Sequence, residues 1–320
     1  MCGPHVIHKA RKSFMTASGR APETPGGTIT AERPAPPARP AAGAGLGRRR
    51  MLTGSAAVGA MLTGIGALGG PVESAHAQTI AGISPSRLTV TDLTHVLHND
   101  FPIYRPYILD PNIFQFASIE EDGFNALKLE IDEHTGTHFD APWHFNDSAD
   151  ALHTHEVDPR DLVCPLVVVR IADRAARHYD AQVTVADLRR WERRHGRIPR
   201  GALVAMDSGW SARVLQSEEA MLNRDSDGVA HFPGFDIEAI DWLLSARDIA
   251  GIAVDTPSFD YGPDSASNPE AHVFLLGENK YAVEMVAHLE RAPESGAMAI
   301  VGVANIRGGS GGPVRLLALS

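Results

Sequence analysis

The stretch Asp132-Glu133-His134-Thr135-Gly136-Thr137-His138-Phe139-Asp140-Ala141-Pro142-Trp143-His144 places three imidazoles and the Asp140 carboxylate within eleven residues. Burying such a cluster is costly unless its members are paired or hold a metal. Neutral imidazole together with carboxylate suits zinc or a similar divalent ion. His138 and Asp140 are two apart, so in an extended chain they point to the same side and Phe139 to the other. Gly136 permits a tight bend that returns His134 towards them. Three protein ligands leave a coordination position for water, as a catalytic site needs, whereas a structural site usually recruits cysteines and closes the fourth position. His144 follows an Ala-Pro-Trp turn that can aim it at that water, and it reads as a general base and then acid.

Outward from this stretch the chain alternates strand-like and helix-like segments. Ala126–Ile131 reads as the strand leading into the cluster. Leu166–Ile171, Ala202–Met206, Ile249–Val254, Ala297–Val303 and Val314–Leu319 are mostly continuous apolar runs of the kind buried on both faces. Thr184 with Asp187 reads as the capped start of a helix ending near Gly196, and Asp236 as the cap of Ile237–Ala246. The pattern predicts one α/β domain over residues 78–320.

The histidine cluster resembles the H-x-G-T-H-x-D-x-P-x-H signature of the cyclase-type metal-dependent hydrolases, a family that includes bacterial kynurenine formamidase and isatin hydrolase. Asp255-Thr256-Pro257-Ser258-Phe259-Asp260 resembles the family's D-T-P-S-x-D segment, and Ala271-His272 with Glu284 resembles its second half-site. The segment Gly308 to Arg315 looks like the closing one. The resemblance implies a swivelling β/β/α single domain, usually a homodimer. It also implies that His134, His138 and Asp140 bind one metal and that Asp140, His272 and Glu284 hold a second, with Asp140 or Glu284 bridging. The ions expected are two zinc ions per chain, or manganese. His144 would be the proton shuttle. Pro102-Ile103-Tyr104-Arg105-Pro106 matches the family's early substrate segment only loosely, and Tyr104 is carried as a substrate-binding residue. Met285-Val286 departs from the pairs that commonly follow the family's glutamate. The leading activity implied is hydrolysis of N-formylkynurenine to kynurenine and formate, in tryptophan catabolism, with isatin or another cyclic amide or lactone as the alternative. A reading of another class is a secreted metal-binding protein without turnover, which would have no need of His144.

The 320 residues carry a formal charge of −10, an average over two unlike parts. Residues 1–77 hold nine basic and three acidic side chains, so the remainder carries −16 with only two lysines, Lys128 and Lys280. So acidic a surface repels phosphate backbones, which argues against nucleic acid as a partner and against a nucleic-acid role for the arginines of 189–197. Arg48-Arg49-Arg50-Met51-Leu52-Thr53, an uncharged glycine-diluted stretch to Val72, and Ala75-His76-Ala77 together look like a twin-arginine export signal cleaved after Ala77. The stretch is glycine-diluted and only mildly apolar, which argues against a stable membrane span, and the alternative reading is an uncleaved membrane anchor. Cys2 and Cys164 are the only cysteines, so the domain has no internal disulfide, and Cys164 reads as a buried thiol. His153 and His155 read as loop residues, Asp92 and His95 as hydrogen-bonding residues near the pocket edge, and Trp210 and Phe232 as core or pocket aromatics.

Overall fold

Strand β5 (Val163–Arg170) alternates Leu166 and Val168 into one buried cluster with Val167 and Val169 into another, as the period of two requires. The same alternation continues in β7 (Leu203–Asp207) and β9 (Gly251–Val254), so each strand is covered on both faces. These strands run parallel in the order β5, β7, β9, β10 (Tyr281–Glu284). Helices α1 (Val185–His195) and α2 (Ile237–Arg247) lie on the crossovers between them. The computed structural model describes residues 88–320; the basic leader, its export signal and the cleavage position lie outside the described residues.

Four antiparallel pairings complete the sheet. Strand β10 pairs with β4 (His138–Asp140), β4 with β12 (Gly311–Leu319), β12 with β11 (Ala297–Val303), and β11 with β5. The seven strands thus close on themselves as a barrel, and β1 (Val90–Asp92) adds to the free half of β12. Closure removes the sheet edges at which a short strand such as β4 would otherwise be left half-paired. Phe139 of β4 and Val283 of β10 point into the barrel interior, while Ala282 belongs to the cluster under the helices. His138 and Asp140 therefore face outward, to the side where α3 (Glu270–Gly277) packs. A two-stranded parallel pair, β6 (Gln182–Val183) with β8 (Gly234–Phe235), flanks the helices.

Ala126–Ile131 is a strand but not part of this barrel. As β3 (Ala126–Glu130) it pairs with β2 (Asn112–Ala117) in a separate hairpin, with Phe116, Leu127 and Leu129 more than half exposed. Among the described residues no helix is long and apolar enough to cross a membrane.

The start of α1 shows what local sequence contributes. Thr184 caps the helix and Asp187 returns the bond to the Thr184 N–H, a capping box. Asp187 is 3% exposed and also accepts two bonds from Arg174, at 2.9 and 2.7 Å, and one from Arg190 at 2.8 Å. Burial alone would raise its carboxyl pKa, but Arg174 and Thr184 outweigh burial and hold it well below the usual carboxylate range. Asp187→Ala should cost about 2–3 kcal/mol in chemical denaturation, less than a fully buried ion pair because Arg190 is half exposed. Because the folded pKa is depressed, this contribution is complete above the ordinary value near 3.8 and is lost as pH falls through the folded one. The wild type should accordingly lose more stability than the variant between pH 4 and pH 2.

Candidate active site

Strand β4 presents His138 and Asp140, and register places Glu284 of β10 opposite His138. The bend at Gly136, which has φ +67°, returns His134 to the same spot, and α3 supplies His272 from above. The structure therefore brings together every residue expected to hold metal. His134 Nδ1 lies 2.6 Å from Asp140 Oδ1, and His138 Nε2 lies 3.3 Å from Asp140 Oδ1 and 3.4 Å from Glu284 Oε2. His272 Nε2 is 3.6 Å from Asp140 Oδ2 and 3.3 Å from Glu284 Oε1. His134, His138 and Asp140 form one possible donor set and Asp140, His272 and Glu284 another, sharing Asp140. Both carboxylates span His138 and His272.

The outer nitrogens of two imidazoles are fixed by acceptors. His138 Nδ1 donates to the Gly136 carbonyl at 2.8 Å, and His272 Nδ1 donates to Asp260 Oδ2 at 2.5 Å. Their inner nitrogens then face carboxylate oxygens, which only accept, so each must present either a proton or a bound cation. Such contacts repel unless positive charge lies between them. Burial works against a charged imidazole here, yet Asp140 and Glu284 outweigh it and push His138 up to about 10, so a proton occupies the position between them that a cation would take. Asp140 Oδ2 is buried and has no hydrogen-bond partner. A buried carboxylate oxygen without a hydrogen-bond partner, facing an imidazole nitrogen 3.6 Å away, fits a divalent cation. The mixed nitrogen and oxygen donors suit zinc or manganese.

His144 closes a short 3₁₀ turn and stacks on His134, with ring centroids 3.8 Å apart. Burial, helped by the neighbouring His134, holds its pKa well below the ordinary histidine value, so it is neutral and able to accept a proton. Beside it opens a cavity of about 300 Å³ whose wall beyond the histidines is mostly apolar, including Ile103, Tyr104, Tyr107, Phe145 and Met285. Tyr104 does line this cavity. Ser265 gives its one proton to the Gly262 carbonyl, so its Oγ accepts from the Tyr104 hydroxyl at 2.6 Å, and that hydroxyl is engaged within the protein.

Trp210 and Phe232 do not line the cavity; both are core residues, 3% and 0% exposed. Cys164 is buried, and burial pushes its thiol up to about 11, which leaves it unreactive. His95 is buried away from the cavity lining, with its backbone N–H bonded to Thr137 Oγ1, and Asp92 pairs with Arg315 at the surface. His153 lies against Trp143 and His155 accepts from the Gly308 N–H; neither is the exposed loop residue expected, since His153 caps a 3₁₀ turn, Thr154–Glu156, that contains His155, and both are half-buried. Sequence reasoning gave no role to Asp260, although it is the second acid of the D-T-P-S-x-D segment. It also gave none to Phe145 or Met285, whose part in the cavity wall has no local signal.

The Cyclase family profile matches residues 91–261. An isatin hydrolase of Roseibium aggregatum is 32% identical over 255 residues, covering 75% of this chain and 94% of the relative. Among solved structures, isatin hydrolase A from Ralstonia solanacearum superposes with a TM-score of 0.68 at 34% identity, covering 73% of this chain and 92% of that one. An isatin hydrolase bound to the product analogue thioisatinate gives 0.68 at 31% identity, covering 73% and 93%.

Proposed function

Because the chain belongs to the cyclase family of hydrolases, we propose that it is a metal-dependent amidohydrolase that opens a cyclic amide of the isatin type. The observation that carries the hydrolytic reading is the ring of inward-facing imidazole nitrogens around the buried Asp140 carboxylate, whose Oδ2 has no hydrogen-bond partner. In this reading His134, His138, Asp140, His272 and Glu284 hold divalent metal, zinc or manganese, with Asp140 shared between two positions. When bound, such an ion lowers the pKa of water from about 15.7 to near 7 and polarises a carbonyl oxygen. Neutral His144 takes the proton from the attacking water. The water oxygen bonds to the lactam carbonyl carbon, the ring C–N bond breaks, and His144 returns the proton to the departing nitrogen. Ile103, Tyr107, Phe145 and Met285 would receive the fused aromatic ring and exclude water from it.

Similarity to isatin hydrolases favours the cyclic amide over N-formylkynurenine, the substrate that the resemblance placed first. A direct assay separates them: the metal-loaded protein should turn over isatin with a kcat/KM at least tenfold above that for N-formylkynurenine. A preference for the linear formamide would return the reading to a kynurenine formamidase. We further propose, from the leader and the resemblance, that the protein is exported by a twin-arginine route, cleaved after Ala77, and works as a homodimer.

A further inference from the structure

One outer nitrogen of the metal cluster meets neither a main-chain carbonyl nor a carboxylate. His134 Nε2 lies 3.0 Å from Ser310 Oγ, a group that can give or take a proton. We propose that Ser310 and Glu133 are positioning residues that fix the tautomer of His134 and so make its Nδ1 a metal donor; this rests on the metal-site reading above.

The argument is a count of protons. Glu133 Oε2 accepts from the Ser310 N–H at 3.1 Å and from the Ser310 hydroxyl at 2.5 Å. A serine hydroxyl has one proton, and here the carboxylate takes it. The Ser310 oxygen must then accept from His134, which places that imidazole's proton on Nε2. In the neutral ring Nδ1 is then free for a cation shared with Asp140 Oδ1, 2.6 Å away, a position a proton takes when no cation is there, and Gly136 and Asp260 orient His138 and His272 inward in the same way. Without Glu133 the hydroxyl could donate to Nε2 instead and move the proton to Nδ1, where it would oppose a metal ion.

The surrounding backbone holds this chain of bonds in place. The Ser310 carbonyl accepts from Ala141 N–H at 2.8 Å, which ties the serine to the end of β4. Both neighbours are glycines in close quarters. A Cβ on Gly309 would come within 2.9 Å of Glu133 Oε1, and one on Gly311 within 2.7 Å of His134 Cε1 and 2.3 Å of the Phe139 carbonyl oxygen. Only a side-chain-free backbone lets Ser310 reach between Glu133 and His134.

Outer partners of metal-bound histidines typically contribute about 10- to 100-fold in metal affinity. The test measures zinc affinity by competition with a fluorescent chelator for the wild type, Ser310→Ala, Ser310→Thr and Glu133→Ala, with thermal unfolding as a check on folding. The ring ¹⁵N shifts of His134 report its tautomer in the same proteins. Ser310→Ala and Glu133→Ala should each weaken zinc binding at least tenfold while staying folded, Ser310→Thr should restore it to within about threefold, and the wild type should show the proton on Nε2. Unchanged affinity in both alanine variants, or a wild-type His134 without a proton on Nε2, would overturn this inference while leaving the metal site standing. A wild type that binds neither zinc nor manganese would overturn both readings.

Discussion

Asp140→Asn is expected to be purified with less than a tenth of the wild-type metal content and to lose hydrolysis of any substrate by more than about 10³-fold. Asp140 is 1% exposed, belongs to both donor sets, and touches His134, His138 and His272 through its two oxygens. The amide keeps the shape and removes the charge. Its NH₂ group can satisfy one of the facing imidazole nitrogens by a hydrogen bond, but the atom that does so can no longer bind a cation. The effect should exceed the 10- to 100-fold typical of an outer partner, because a donor common to both sets is lost. Stability gives a second readout independent of turnover. A ligand that binds only the folded state at 100 times its Kd stabilises by about 2.7 kcal/mol, so zinc should raise the unfolding temperature of the wild type and leave that of Asp140→Asn unchanged. Full metal occupancy in the variant would remove Asp140 from the ligand set.

How much of this was legible in the sequence follows from the range over which each feature is determined. Helix α1 and its cap were readable because Thr184, Asp187 and Gly196 lie within one short segment and act through local bonds. Strand β11 was readable to the residue as Ala297–Val303 because a run of seven mostly apolar residues has few other fates, although it is buried on one face only, through Ala297, Ala299 and Val301, and not on both as expected. Ala126–Ile131 also carried a true strand signal, but propensity cannot name a strand's partner, and it pairs in the exposed hairpin. Closure of the barrel was invisible for the same reason: β4 is three residues long and meets β12 about 170 residues later through Gly311 and Pro313. At the site, the candidate donors were legible because three imidazoles and a carboxylate are improbable at such spacing without a use. The roles of Asp260 and Ser310 were not. Each acts through a contact that only the fold creates, Asp260 twelve residues before His272 and Ser310 on the far side of the domain sequence from His134.

His144→Ala separates an enzyme from a protein that merely binds metal. His144 belongs to neither donor set, its ring stacks on His134, and burial keeps it neutral at neutral pH. General acid–base help of this kind contributes about 10² to 10⁴ in rate. The alanine variant should therefore lose kcat by that factor while its metal content stays near that of the wild type and KM changes little. Removing the ring also removes the stack that holds His134, so His144→Phe is the sharper variant: it keeps an aromatic ring there and lacks only the nitrogens. Loss of turnover in both, with metal retained in His144→Phe, would identify the nitrogen as the proton carrier. Restored activity in His144→Phe would reduce His144 to a support for His134, and undiminished activity in both would require another base, for which the described residues of the cavity lining offer no second histidine outside the donor sets.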